Sequence, residues 1–82
     1  MDWYDETVAA ISDVSGIAMH DLELSEDLRT ELLDVARIAS HHSGQRINAP
    51  LICYALGKAV ERGISLSDLA RVIRERAGEI EN

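Results

Sequence analysis

The chain has 82 residues, of which 46% are hydrophobic and 28% are charged, and its formal net charge is −7. This length predicts a single domain over residues 1–82 with one modest core, and the apolar fraction is too high for a disordered segment. Leucine, isoleucine, valine and alanine supply most of the apolar residues, whereas phenylalanine is absent. That composition favours packed helices over a sheet.

Charge is distributed unevenly along the chain. Residues 1–45 contain ten acidic residues against Arg29 and Arg37, whereas residues 46–82 contain five acidic and six basic residues. An acidic surface repels nucleic-acid backbones and anionic lipid, so we expect neither a nucleic-acid nor a membrane partner. The acidic half indicates either a protein partner with a basic face or only a surface that keeps the domain in solution.

A cytoplasmic location is the simplest expectation. The opening MDWYDET lacks the basic and apolar regions of a signal peptide, and no apolar run approaches the roughly 18 residues of a membrane span. The single cysteine, Cys53, has no partner for an internal disulfide, which agrees with a reducing compartment.

Two helices are predicted in the acidic half. The first runs from about Trp3 to Val14 and ends at Gly16, and the second follows the cap Ser25 and ends at Gly44. Apolar residues recur at helical spacing in both: Tyr4, Val8, Ile11 and Val14, then Leu28, Leu32, Val35 and Ala39. The connector between them is expected to place four apolar side chains against the core: Ile17, Met19, Leu22 and Leu24.

Two further helices are predicted in the second half. The third begins near Pro50 with Asn48 or Ala49 as its cap, and the fourth begins with the capping pair Ser65 and Asp68. Their apolar stripes are Ile52, Leu56 and Ala59, then Leu66, Leu69, Ile73, Ala77 and Ile80. No strand pattern occurs, so we predict an all-α fold, a compact four-helix domain with antiparallel neighbours.

Some residues remain outside these stripes. Five are apolar and either widen a helix face or join two copies or a partner: Leu33, Ile38, Leu51, Ile64 and Val72. A homo-oligomer is one expectation, because so small a core stabilises a monomer weakly. Three arginines of the fourth helix are expected on a solvated face with one weak Asp68–Arg71 pair: Arg71, Arg74 and Arg76.

The segment SHHSGQRINAP, residues 40–50, has two interpretations. As a capped joint, it needs only a histidine at the helix end, Gly44, and an arginine that bonds the last carbonyls. As a site, it would hold a carboxylate or phosphate between an imidazole, a guanidinium and the free amides of the third helix. The candidate binding residues, for a ligand or a partner, are His41, His42, Arg46 and Asn48.

The two histidines of this joint are expected to differ. The apolar stripe of the second helix continues from Ala39 to His42, so His42 is predicted to point inward and His41 away from the core. If His42 is buried, its replacement by alanine is expected to cost roughly 1–3 kcal/mol, and replacement of His41 is expected to cost little.

Catalytic and metal sites receive little support from the sequence. The chain contains no C-x-x-C or H-x-x-x-H pair, and the adjacent His41 and His42 diverge on a helix. Cys53 follows a stripe residue and is expected to be packed, although a pair with His42 is the alternative. An acyl carrier is rejected because no Asp-Ser-Leu occurs. We therefore expect no enzyme, catalytic residue, metal or cofactor.

Several segments resemble a short uncharacterised family of helical proteins, mostly actinobacterial. They are MDWYDE, ELLDVARIASHH, R-x-x-APL, YALGKAVERG and SLSDLARVIRE, within residues 1–6 and about 31–75. The family carries an LLDLAR helix that ends in Ala-His, followed by an Arg-Pro-x-Ala-Pro-Leu turn. Its members occur alone or with guanylyltransferase-like proteins of molybdenum-cofactor synthesis. The resemblance implies a helical accessory module without an assigned activity.

The resemblance also maps onto the joint. Four residues match the family's turn: Arg46, Ala49, Pro50 and Leu51. The family histidine falls on His41, or on His42 if its spacing to Arg46 is kept, and Ile47 replaces the proline. Three hypotheses follow: an accessory domain that binds a protein, linked to molybdenum cofactor through the resemblance; a binder of a nucleotide or pterin phosphate; or a self-associating domain.

Overall fold

The computed structural model of the chain describes residues 2–78 and is all-helical over that range, as predicted. Its helices are α1 (Trp3–Ser15), α2 (Met19–Leu22), α3 (Glu26–Ser43), α4 (Asn48–Glu61) and α5 (Leu66–Arg76). Four of the five match the predicted helices, and α2 is a single turn within the predicted connector. None of the helices in this range has the length and apolarity to cross a bilayer.

The predicted ends of α3 and the start of α5 are confirmed. Ser25 accepts a hydrogen bond from the amide of Leu28 at 3.3 Å, and Ser65 accepts one from the amide of Asp68 at 3.3 Å. Gly44 ends α3 with a φ of 74°, a left-handed conformation that a side chain would disfavour. Local side-chain chemistry therefore sets these boundaries.

The predicted cap of α4 is wrong. Asn48 and Ala49 both lie inside the helix, and the cap position is Ile47, whose side chain makes no capping hydrogen bond. The preceding turn supplies the partners instead, since the amides of Asn48 and Ala49 donate to the carbonyls of Gln45 and Arg46 at 3.1 Å each. A polar cap is therefore not needed at this helix start.

Helices α3, α4 and α5 pack around one core. Val35, Leu56, Leu66 and Ala70 are buried there, and partly buried residues surround them: Leu28, Leu32, Ile52, Leu69 and Ile73. Ile38 is also buried, although the sequence placed it outside the main stripe. Because α3 contacts both α4 and α5, it buries a wider face than one stripe provides.

Helices α3 and α5 run in the same direction. Ser67, in the first turn of α5, donates a hydrogen bond to Glu31 in the first half of α3. At the other end, Ala77, just after α5, lines the same groove as His42 near the end of α3. The ends of both helices therefore meet the beginning of α4, and this meeting point forms the candidate site.

Helix α1 packs closely against α2 and, in the described chain, not against α3, α4 or α5. Val8 is its buried residue, whereas Ile11 and Val14 of the predicted stripe are exposed. A cation–π contact connects the two parts, with the Arg29 guanidinium 5.0 Å from the centre of the Tyr4 ring. The predicted compact four-helix arrangement with antiparallel neighbours is thus not confirmed.

The predicted burial of the four apolar side chains of the connector is confirmed only in part. Met19 and Leu22 of α2 are half-buried, but Ile17 and Leu24 are exposed. A single helical turn is too short to direct all four side chains to one side. Among the other predicted core residues, Ile80 lies outside the described residues.

Candidate functional site

An open groove of about 430 Å³ lies where the ends of α3 and α5 meet the start of α4. We call it the joint groove. Its apolar lining consists of Ile38, Ala39, Ile52, Ile73 and Ala77. Its polar lining consists of His42, Ser43, Asn48 and Arg76. Because Ile38 and Ala77 are buried while His42 and Arg76 are exposed, the floor is apolar and the rim is polar.

The helices position the rim residues by simple geometry. His42 lies one turn after Ile38 on α3, so both project from the same face. Asn48 is the first residue of α4, and Arg76 is the last residue of α5. Three helix ends thus bring together an imidazole, an amide and a guanidinium, and the guanidinium of Arg76 is far in sequence from the other two.

The predicted site residues separate into two pairs. His42 and Asn48 line the joint groove, whereas His41 and Arg46 do not. The stripe predicted that His42 points inward, but its side chain is exposed at the rim of the groove rather than buried. The cost of roughly 1–3 kcal/mol predicted for a buried His42 is therefore no longer expected.

The rim side chains have no internal partners. Within residues 2–78, the side chains of His42, Asn48 and Arg76 form no hydrogen bond or ion pair. Arg46 also forms none in that range, so it does not bond the last carbonyls of α3 as one interpretation proposed. Side chains that stay without internal partners are free to bind an incoming group.

Ser43, which the sequence did not single out, holds the joint together. Its hydroxyl donates to the carbonyl of Ala39 at 2.6 Å and accepts from the amide of Gln45 at 3.2 Å. The amide of Gly44 donates to the carbonyl of His41 at 3.3 Å. These bonds close α3 without His41, His42 or Arg46 side chains, so capping does not account for those residues.

The start of α4 offers few free amides for an anion. The amides of Asn48 and Ala49 already donate to carbonyls of the preceding turn, and Pro50 has no amide hydrogen. An anion at this groove would therefore depend on His42 and Arg76 rather than on the helix N-terminus.

Of the arginines expected on a solvated face, Arg74 is only partly exposed, whereas Arg76 is exposed as expected but was not predicted to line the joint groove. Arg76 lines the joint groove, and Arg74 donates to Glu31 at 3.2 Å and to Asp34 at 3.1 Å. The expectation does hold for Arg71, which pairs with Asp68 at 3.5 Å on the surface. No local spacing signals contacts between residues about forty positions apart.

The Arg74 contacts fasten α5 to α3. Arg74 is 28% exposed, and its guanidinium reaches both carboxylates of α3. The hydrogen bond from Arg74, followed by that from Arg37, holds the pKa of Asp34 below its ordinary value. Asp34 and then Glu31 raise the pKa of Arg74 in turn. This charge cluster keeps the end of α5 beside α3 and so supports the joint groove.

Cysteine and metal chemistry find no support at this site. Burial raises the pKa of the half-buried Cys53 thiol, which disfavours the reactive thiolate, and Cys53 does not line the joint groove with His42. In residues 2–78 no cluster of three or more histidine, cysteine, aspartate or glutamate side chains is arranged to hold a metal ion.

No protein-family model matches the chain, and neither a curated protein nor a solved structure shows significant similarity to it. The resemblance to the actinobacterial helical family stays a prediction that these comparisons do not test.

Proposed function

We propose that this protein is a non-enzymatic helical accessory domain that binds a partner protein at the joint groove. The supporting observation is an open apolar floor bordered by polar side chains that have no partner in the described chain: His42, Asn48 and Arg76. Protein interfaces concentrate their affinity where an anchor side chain enters such a pocket and polar groups surround it. A groove of about 430 Å³ has room for one large side chain.

The rim also defines the chemistry of the partner. Arg76 is positively charged and His42 gains a charge when protonated, so an acidic residue beside the apolar anchor would complement them. The acidic surface of residues 1–45, with ten acids and two arginines, supplies a second contact surface for basic groups. A partner segment with an apolar anchor and an adjacent acid therefore fits the groove best.

The resemblance to the helical family adds a cellular role to this proposal. Segments such as ELLDVARIASHH are similar to a family whose members occur with guanylyltransferase-like proteins of molybdenum-cofactor synthesis. We therefore propose a cytoplasmic partner that supplies or uses molybdenum cofactor. This part of the proposal depends on the resemblance, whereas the docking site depends on the groove.

A small anionic ligand, such as a nucleotide or pterin phosphate, is the second candidate. His42 and Arg76 favour it, because they place two cationic or potentially cationic groups on one groove. The occupied amides at the start of α4 and the open shape of the groove argue for a protein segment instead.

Affinity capture from an extract of the native host tests the first candidate. The bait is the wild-type chain or one of four variants, with His42→Ala and Arg76→Ala in the groove and His41→Ala and Arg46→Ala as matched controls. We expect one partner to be captured by wild type and both controls and reduced at least about tenfold, or about 1.4 kcal/mol, by the groove variants. Equal capture by all five proteins would contradict the proposed site.

Thermal unfolding separates the second candidate from the first. A nucleotide or pterin phosphate that binds the groove should raise the melting temperature of wild type and of Arg46→Ala but not of Arg76→Ala. An increase with this pattern would favour the ligand over the protein partner. Unchanged melting of wild type at high ligand concentration would remove the ligand candidate.

A further inference from the structure

Helix α1 has an exposed apolar face. Trp3 is 77% exposed and Val14 is 91% exposed, and Ile11 is also exposed. With Thr7 and Ala10 they share one side of the helix, beside the buried Val8. We call this set the α1 stripe: Trp3, Thr7, Ala10, Ile11 and Val14. Most of it lines a shallow, almost wholly apolar groove.

Helix α4 has a second exposed apolar face. Ile47, Leu51 and Tyr54 are 64%, 60% and 68% exposed, and Lys58 continues the same line at a spacing of four residues. The Lys58 ammonium lies 5.0 Å from the centre of the Tyr54 ring. We call this set the α4 stripe: Ile47, Leu51, Tyr54 and Lys58. It faces away from the buried Leu56, so nothing in the core covers it.

The two stripes lie in regions of opposite charge. Residues 2–28 contain eight acidic side chains and no lysine or arginine, and Glu6 and Asp13 flank the α1 stripe. Residues 46–62 contain three basic side chains and one acidic side chain, Glu61. Pairing α1 with α1 would bring acidic faces together, and pairing α4 with α4 would bring cations together, whereas α1 against α4 is attractive.

We propose that the α1 stripe of one copy of this chain packs along the α4 stripe of a second copy. Burial of two apolar faces supplies the affinity, and the opposite charges around them select this pairing. Two different surfaces meet, so the contact forms an isologous dimer if it occurs twice about a two-fold axis and a heterologous chain of copies if it does not. It does not depend on the proposed function, because neither stripe includes a residue that lines the joint groove.

Sedimentation equilibrium of the purified full-length chain tests this contact. Val14→Lys places a cation in the α1 stripe, and Leu51→Glu places an acid in the α4 stripe, both at exposed positions that should leave folding intact. Circular dichroism checks the helix content of each variant. We expect wild type to self-associate with increasing concentration, less at high salt, and each variant alone to remain a monomer.

Mixing the two variants gives the decisive result. The α4 stripe is intact in Val14→Lys and the α1 stripe is intact in Leu51→Glu, so an equimolar mixture should form a 1:1 dimer although neither variant associates alone. Wild type that stays monomeric at all concentrations would overturn the proposal. Closure of α1 onto α4 within one chain would give this same monomeric result. Association of either variant alone, or a mixture that stays monomeric, would overturn it too. Capture of the groove partner by Val14→Lys tests the proposed function separately.

Discussion

Helices α3–α5 and helices α1–α2 are built on similar amphipathic patterns but are held in different ways. In the first region, α3 contacts two other helices and buries Val35 and Ile38, and charged contacts join its first half to α5. In the second, α1 buries Val8, contacts the single-turn α2, and touches α3 through Tyr4 and Arg29. The difference teaches that similar apolar patterns can be buried to different extents: α3–α5 contain most of the buried core, whereas α1 leaves much of its apolar face exposed.

Loss of core volume in α4 should have the largest effect. Leu56 is buried between the helices of the first region, so Leu56→Ala should lower the free energy of unfolding by about 2–4 kcal/mol through lost burial and a cavity. Leu33→Ala on the exposed side of α3 is the control and should cost below about 0.5 kcal/mol. Urea denaturation measures both, and similar values would contradict the assigned core.

The same substitution in the two regions should give unequal costs. Val35→Ala in α3 should cost about 2 kcal/mol, because the residue is fully enclosed by the main core. Val8→Ala in α1 should cost about 1 kcal/mol or less, because α1 packs closely against α2 alone and we expect these two helices to open without unfolding α3–α5. Denaturation curves give the two values, and an equal loss would show that both regions unfold as one.

Loss of the ionic contact between α3 and α5 should have the next largest effect on stability. Arg74→Ala should cost about 1–2 kcal/mol, because Arg74 is only partly exposed and bridges the carboxylates of Glu31 and Asp34. Arg71→Ala removes an exposed pair on the same helix and should cost below about 0.5 kcal/mol. Thermal unfolding compares them, and equal melting temperatures would mean that Arg74 does not fasten α5.

Acid should weaken the same ionic contact, and this should be the smallest of the predicted effects on stability. Arg74 and Arg37 keep the pKa of Asp34 below its ordinary value, so the ionised carboxylate stabilises the fold above the unfolded pKa of about 3.9. That stabilisation should disappear as the pH falls through the lower pKa of the folded state. The difference in unfolding free energy between wild type and Asp34→Asn should be constant above about pH 5 and shrink below about pH 4. A constant difference down to pH 2 would contradict the assignment.

Local features of the fold could be predicted from the sequence. Ser25, Gly44 and Ser65 stand at helix ends as predicted, because capping and left-handed turns depend only on residues close in sequence. The cap of α4 could not be predicted, because its amides bond a turn whose geometry the residue types do not reveal. Long-range packing could not be predicted either. Ile11 and Val14 follow the same helical period as a buried stripe but are exposed, because periodicity does not show which other helix covers a given face.

The sequence named two of the polar residues that line the joint groove, His42 and Asn48, and missed the others. The stripe of α3 places His42 on the same helix side as Ile38 and Ala39, which line the groove, but the inward direction predicted for His42 is wrong because its side chain is exposed. Arg76 was missed, because its place depends on α5 running beside α3 in the same direction. Arg46 and His41 were chosen for their closeness in sequence, but neither lines the groove: Arg46 lies in the turn before α4, and His41 lies on α3 beside His42 but on another side of the helix.

The central claim is that the joint groove is the surface that binds a partner protein, and site-specific photocrosslinking tests it most directly. A photoreactive residue replaces His42 in one protein and His41 in the other, and each is irradiated in an extract of the native host. We predict that one protein crosslinks efficiently at position 42 and only weakly at position 41, because only the first side chain lines the groove. Equal crosslinking at both positions, crosslinking at position 41 alone, or none at either would contradict the claim.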